Sequence, residues 1–426
     1  MTMSQDVAST SSVRCAVDIG STIVKVARVD ERGELQRQDF FQRDFALGIA
    51  RQVESLLAGL GINAGDEEIA VCSSANGGLR VGIVCLTKHF SGAALRNQVL
   101  LAGANPVYVR EFEEPGGDLR RVDILLVGGG IDCADADPVA RRLEAFDPGQ
   151  YNYGTLFFAA NSYLAASFRS RFPAAVVIEN PLGESLSSRV SSVFETVRRA
   201  YLDDLIYKEG VSELRGNLAR GIRPTPEVVS RGFLRAVMHK SSFTIVGACL
   251  ALDVGGATTD LHYTVELVRE DSEVKPASGV SVARFVFTDL GIVASRDTLI
   301  MQLRGHAQLY EFLAAVLDHD VREIYRLLRE GEYDPSAELL SYACLFLALD
   351  RFAKGRGPGL PIGNLGALSQ IILTGGAVQN LDEAVVLRLT ALLMPDGCSS
   401  PLIQVDRRYQ IWVGGITWDE EPAPAG

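Results

Sequence analysis

Asp18 and Asp253 are the residues of this chain best placed to do chemistry. Asp18-Ile-Gly-Ser-Thr-Ile-Val-Lys25 and Asp253-Val-Gly-Gly-Ala-Thr-Thr-Asp260 each follow an apolar run, and each sets a carboxylate ahead of a turn of small residues. Such turns suit a polyphosphate. Glycine lets backbone N–H groups approach phosphate oxygens, and small hydroxyl side chains add donors without filling the space. A carboxylate facing those oxygens would repel them unless a hard cation lies between, so the pair implies Mg²⁺ held largely through water. Gly20, Ser21, Thr22 and Lys25 are the candidate phosphate ligands of the first turn, and Gly255, Gly256 and Thr258 those of the second. Gly375 and Gly376, behind the apolar run Gln370–Leu373, make a third turn against which an adenosine could lie. Asp18 and Asp253 are the candidate metal-binding and catalytic carboxylates, one orienting the cation's water shell and one an attacking water.

Each of these residues also has a plainer reading. Glycine and serine open hairpins without any ligand. Lys25 could sit outward on its hairpin, and Asp260 reads as a polar residue of an edge strand. Gly128–Gly130 serves equally as a nucleotide turn or as close packing of strand on helix. Asp289 is a further candidate for the cleft wall, His262 lies beside the second turn, and Tyr409 and Trp412 read as core.

The elements that must position the two aspartates follow from the apolar pattern. Val13–Val17 and Ile245–Leu252 read as buried strands that end where the polar turns begin. Asp30-Glu-Arg-Gly33 closes a hairpin after the first turn, so the turn joins antiparallel strands instead of a strand and a helix. No G-x-x-x-x-G-K-[ST] occurs, which removes a P-loop. Helices are expected near 44–60, 91–104, 189–220, 226–239, 295–354 and 381–394. Strands are expected at Ile69–Ser73, 79–86, Val107–Glu111, Val122–Gly130, Ala174–Glu179, 259–268, 281–288, Gln370–Leu373 and Tyr409–Val413. The fold class is α/β, with two related half-domains around a nucleotide cleft. Residues 1–12 form a polar tail, 13–245 the first half-domain with insertions, 246–419 the second, and 420–426 a Pro/Ala/Glu tail. A hinge near 240–246 would let the halves open and close.

Composition narrows the class. A 47% hydrophobic chain of 426 residues can fill the cores of two to three domains. A formal charge of −12 argues against a nucleic-acid or anionic-membrane surface, and no apolar run reaches the ~20 residues of a membrane span. The seven cysteines show no C-x-x-C spacing and sit mostly in apolar company, the five histidines form no zinc pattern, and a cytoplasmic location is expected.

In order, spacing and hairpin context, the three turns resemble the phosphate and adenosine motifs of the ASKHA superfamily, the actin-like ATPase fold of sugar kinases, actin and heat-shock ATPases. A closer likeness covers nearly the whole chain. Ser73-Ser-Ala-Asn-Gly-Gly-Leu-Arg80, Val122–Gly130, Ile178-Glu-Asn-Pro-Leu182, Arg223-Pro-Thr-Pro226, Leu252–Asp260, Thr288-Asp-Leu-Gly291 and Val405-Asp-Arg-Arg-Tyr409 resemble the glutamate mutase-associated MutL family, which shares only a name with the DNA mismatch-repair protein. The resemblance implies two ribonuclease H-like half-domains flanking the nucleotide cleft, and an ATP- and Mg²⁺-dependent chaperone or reactivating factor for a coenzyme B12-dependent glutamate (methylaspartate) mutase. Val24, where the family pattern has threonine, implies one phosphate donor fewer. No D-x-H-x-x-G cobalamin signature is present, so a link to that cofactor would run through a partner protein. Two other functions stay open on the residues: a small-molecule kinase with Asp253 or Asp18 as base, and a nucleotide-binding scaffold without turnover.

Overall fold

The computed structural model describes residues 13–418, excluding 21–22, 45, 64–67, 74–78, 103, 115–119, 134, 183–191, 209–221, 239–242, 257, 273–274, 277–280, 288, 294, 304, 318–319, 323, 325–335 and 357–359. Strands Cys15–Ile19 (β1), Ile23–Val29 (β2) and Leu35–Gln42 (β3) form an antiparallel meander, and Ile69–Ser73 (β4) lies parallel to β1. The chain then leaves this sheet to build another. Strands Arg80–Cys85 (β5), Asn105–Glu111 (β6), Val122–Gly129 (β7), Tyr153–Ala160 (β8) and Val176–Val177 (β9) are all parallel, in the order β6-β5-β7-β8-β9. The short strand Arg223–Pro224 (β10) returns to the first sheet, parallel to β4, and completes the order β10-β4-β1-β2-β3.

The second half repeats the first sheet. Cys249–Val254 (β11), Thr259–Thr264 (β12) and Val282–Phe287 (β13) are the meander, and Gln370–Thr374 (β14) and Leu402–Val405 (β15) add in parallel beside β11. The order β13-β12-β11-β14-β15 reproduces the first plan strand for strand. Two such sheets around one cleft are the ribonuclease H-like, actin-like architecture. The inserted parallel sheet is what the first half adds to it.

One expected strand is a helix. Tyr409–Val413 falls almost wholly within helix Gln410–Thr417, and the last strand is β15. The buried Asp406 carboxylate accepts the N–H groups of Gln410 (2.7 Å) and Ile411 (3.0 Å), satisfying donors that open a helix. The run Ile411-Trp412-Val413 is apolar because the helix is buried on all sides, and a short apolar run does not distinguish that from a strand. The long stretch expected from 295 to 354 resolves into helices Arg296–Leu303, Ala307–Leu317 and Ala337–Lys354. Ser336 caps the last of these by accepting from Leu339 N–H (3.1 Å), and Gly355 ends it in a left-handed conformation.

Side chains alternate across a strand, so β1 and β11 each bury two faces. Val17 packs with Val71, Ile83 and Leu126 against the inserted sheet. The other face carries small residues: Ala16, Ala27, Ala70 and Cys72 in the first sheet, Cys249 and Ala251 in the second. Into this space fit two crossing helices, Thr225–Val237 after β10 and Gln410–Thr417 after β15, with Phe233 and Trp412 buried between the sheets. Arg231 and Arg235 tie them together, donating to the carbonyls of Trp418 (2.7 Å) and Gly414 (3.1 Å).

Candidate functional site

Period-two alternation decides where the aspartates point. Asp18 continues the Ala16 face of β1 and Asp253 the Ala251 face of β11, so both carboxylates emerge at strand ends beside the crossing helices. Between the halves lies a cleft of about 550 Å³, within the ordinary range for a small-molecule site. Its walls include Asp18, Gly20, Lys25, Asp253, Gly255, Gly256, Thr258, Gly375 and Gly376. Ser21 and Thr22 lie outside the described residues.

The two hairpins are built alike. Gly20 N–H donates to the Ile23 carbonyl and Gly255 N–H to the Thr258 carbonyl, each at 2.9 Å. Counted from its aspartate, each turn has glycine two residues on and a cross-strand partner seven on: Lys25 opposite Asp18, Asp260 opposite Asp253. That position carries opposite charge in the two halves, which separates the fates of the aspartates.

Asp18 is 1% exposed and fully engaged. One oxygen accepts Lys25 Nζ (2.7 Å); the other accepts Thr225 Oγ1 (2.6 Å) and the Cys72 thiol (3.4 Å). Lys25 does not point outward. Its ammonium lies 5.0 Å from the Tyr409 ring centroid and 5.9 Å from that of Trp412. Burial alone would lower the lysine pKa, but the charge and hydrogen bond of Asp18, followed by Asp253, outweigh it and hold the group above its usual value.

Among the described residues, Asp253 has no such direct ion pair. Burial first, and then the Asp260 carboxylate, push its pKa from 3.8 up to about 7, with Lys25 opposing, Asp18 adding to the rise and Arg284 opposing. Asp260 is itself neutralised: Arg284 donates to it through Nε (2.7 Å) and through Nη2, and Thr258 Oγ1 reaches it at 3.4 Å. Thr225, Asp260, Arg284 and Glu338 line the cleft although the motifs alone did not select them as site residues. For Asp260 a signal existed, since aligning the two turns puts it opposite the lysine position. Arg284 lies inside an apolar strand with no motif to mark it.

A divalent cation suits this donor set. Asp253 presents the uncompensated charge, while among the described residues no group of three or more His, Cys, Asp or Glu is gathered to chelate a metal. The cation would therefore depend on water and phosphate oxygens for most of its ligands.

Other candidates sit elsewhere. Asp289 is held by Arg351 in a two-point contact at 2.9 Å and by Gln302 (2.9 Å), away from the cleft lining. A Cβ on Gly129 would press into the Leu86 backbone, and one on Gly130 into Val139, so the triple glycine serves packing. His262 is buried with Nδ1 3.0 Å from Ser230 Oγ, between β12 and helix Thr225–Val237. Val24 is 1% exposed and faces the first core, so its hydroxyl-free side chain removes nothing from the cleft. Its counterpart Thr259 likewise turns from the cleft and donates to the Leu290 carbonyl (2.8 Å).

The sequence pattern of the family described as "MutL protein" matches residues 15–417. The chain belongs to the MutL family. A curated relative, Protein MutL of Clostridium tetanomorphum, is 23% identical over 261 residues, covering 58% of this chain and 56% of that protein, so the chain spans little more than half the length of this MutL relative. Among solved structures, an activator of 2-hydroxyisocaproyl-CoA dehydratase from Clostridium difficile with bound ADPNP is 10% identical, with 95% of this chain and 91% of that chain covered and a TM-score of 0.32. A ROK family glucokinase from Streptomyces griseus in complex with glucose and AMPPNP is 13% identical, with coverages of 95% and 98% and a TM-score of 0.32. These superpositions are loose; the repeated strand plan defines the fold. Among the described residues no helix is long and apolar enough to cross a membrane.

The third turn makes a direct prediction for this MutL protein. Gly375 has φ +92°, and a Cβ there would overlap the Asp253 carboxylate and lie 2.8 Å from the Val254 carbonyl oxygen. Gly375→Ala should weaken ATP binding about tenfold or more in a calorimetric titration. Unchanged affinity would show that nucleotide does not use this turn.

Proposed function

We propose that the protein binds ATP with Mg²⁺ and hydrolyses it slowly, using the movement of its halves to act on a partner protein. The observation that supports this best is the pair of equivalent phosphate hairpins facing one cleft, with the Gly375-Gly376 turn beside Asp253. Backbone N–H groups of both hairpins would receive the phosphates, with Gly20, Lys25, Gly255, Gly256 and Thr258 nearest them, and Gly375 and Gly376 would take the adenosine. When bound, Mg²⁺ would neutralise charge developing on the transferred phosphoryl group. Asp253 would anchor the cation's hydration shell and orient the attacking water. Asp18 would hold Lys25 in place across the hairpin, where the ammonium faces the same charge. A ligand gripping both halves favours the closed state by its differential affinity.

Family membership supports a B12-dependent glutamate (methylaspartate) mutase as the client, with the nucleotide cycle driving release of damaged cofactor. ADP release should be measured with the protein alone, with such a mutase carrying inactivated cobalamin, and with small hydroxyl compounds. The reading expects several-fold stimulation by the loaded mutase and no phosphorylated product. Stimulation by a small hydroxyl compound, with transfer of the phosphoryl group to it, would establish a kinase instead.

A further inference from the structure

The ion pair of the first phosphate hairpin touches both crossing helices. Lys25 lies over Tyr409 and Trp412, which belong to helix Gln410–Thr417 and the residue before it. The Asp18 carboxylate accepts from Thr225 Oγ1 at 2.6 Å, and Thr225 is the first residue of helix Thr225–Val237. The Thr225 side chain does not cap its own helix. Its hydroxyl is spent on Asp18, and it makes this bond in a buried setting where a hydrogen bond to an ionised acceptor is strong. The second hairpin shows no matching arrangement: its cross-strand position is Asp260, which turns to Arg284 within its own sheet. Helix Thr225–Val237 in turn packs on β12 and β13 of the second half through Ser230, which meets His262, and Phe233.

We infer that Thr225 is a positioning residue that transmits the state of the first phosphate hairpin to the helix crossing between the halves. This rests on the nucleotide reading above. A polyphosphate arriving at Gly20 and Lys25 draws the ammonium forward, the Asp18 carboxylate adjusts to keep its partners, and the Thr225 hydroxyl carries that shift into the helix. An element whose two arrangements are biased from one end is the physical requirement for such coupling. Thr225 lines the cleft, yet its hydroxyl is committed to Asp18, so it positions without serving as a nucleotide ligand.

Thr225→Val keeps the shape and deletes the hydroxyl; Thr225→Ser keeps the hydroxyl. Wild type and both variants should be compared for ATP·Mg²⁺ affinity by calorimetry, and for ATP-induced hydrogen-exchange protection of helix Thr225–Val237. The expected result is that Thr225→Val binds within about threefold of wild type while losing most of the protection, and that Thr225→Ser restores it. Wild-type protection in Thr225→Val would overturn the proposal. So would a large loss of affinity in that variant, which would make Thr225 a ligand. If Thr225→Val does not fold, wild-type protection at saturating ATP in Asp18→Ala serves as the contradicting outcome, because alanine leaves the Thr225 hydroxyl no side-chain acceptor at that position. Absence of ATP binding by the wild type would instead overturn the nucleotide reading itself, and with it this inference.

Discussion

Asp253→Asn should make the nucleotide-free protein more stable at pH 8 while lowering ATP turnover at least about a hundredfold. The stability half of this result follows from the raised pKa. Burial and the neighbouring Asp260 carboxylate lift Asp253 from 3.8 to about 7. Between those values the folded protein holds a proton that the unfolded chain has released, so stability falls as pH rises through the window, and the penalty is complete above it. A shift of that size corresponds to about 2 kcal/mol once the water of an open cleft is allowed for. Asparagine removes the charge, so the variant should melt at a higher temperature than wild type at pH 8, and the two curves should converge near pH 4. Thermal melts across pH 4 to 8 check this; a variant less stable than wild type at pH 8 would show that the charge is compensated in the folded protein. Turnover falls because the amide can neither anchor the cation's water shell nor orient the attacking water. The carboxylate is thus a destabilising group retained at the site where a cation would offset it.

Gly232→Ala should be severely destabilising for a single added methyl. In the structure a Cβ at Gly232 would overlap the Ile411 carbonyl oxygen and lie 2.7 Å from its carbon and 3.0 Å from Gly415 N. Gly415 faces the same contact from the other side, where a Cβ would overlap the Val228 carbonyl oxygen. The two helices meet backbone to backbone, so no side chain can swing aside. They are held on both flanks by the small-residue faces of the sheets and by Arg231 and Arg235. Relief requires moving a helix, at a penalty of about 3 kcal/mol or more. Urea unfolding should show a lowered midpoint for Gly232→Ala and for Gly415→Ala. The double variant should lose less than the sum, since one displacement relieves both clashes. A wild-type midpoint would mean the helices are not in backbone contact.

Much of the site was legible because its chemistry needs rare local patterns. An aspartate at a strand end followed by a small-residue turn is visible in one dimension, and its recurrence at Asp253 made the pairing of half-domains readable. The glycine turn at Gly375-Gly376, which lines the cleft beside Asp253, was legible for the same reason. What escaped depends on burial and on contacts distant in sequence. Thr225 stood out only as part of Arg223-Pro-Thr-Pro226, just ahead of the helix expected near 226–239, and nothing in the order of residues says that its hydroxyl reaches Asp18. Arg284 sits in Val282–Phe287 as one polar residue in an apolar strand, and only the fold sets it opposite Asp260. Tyr409–Val413 misled because apolar β-branched and aromatic residues report burial, and a fully buried helix shares that signal with a strand. The inserted parallel sheet was seen only as alternating helices and short strands. Its five-strand order is fixed by packing across the sheet, which local periodicity does not encode.

The central claim is that one nucleotide lies between the two hairpins, with a cation on the Asp253 side. Calorimetric titration of the purified protein with ATP, with and without Mg²⁺ and alongside Asp253→Ala, tests it most directly. The account predicts one ATP per chain, bound more tightly when Mg²⁺ is present, with that Mg²⁺ dependence greatly reduced in Asp253→Ala. No heat of binding in the wild type, or equal Mg²⁺ dependence in both proteins, would contradict it.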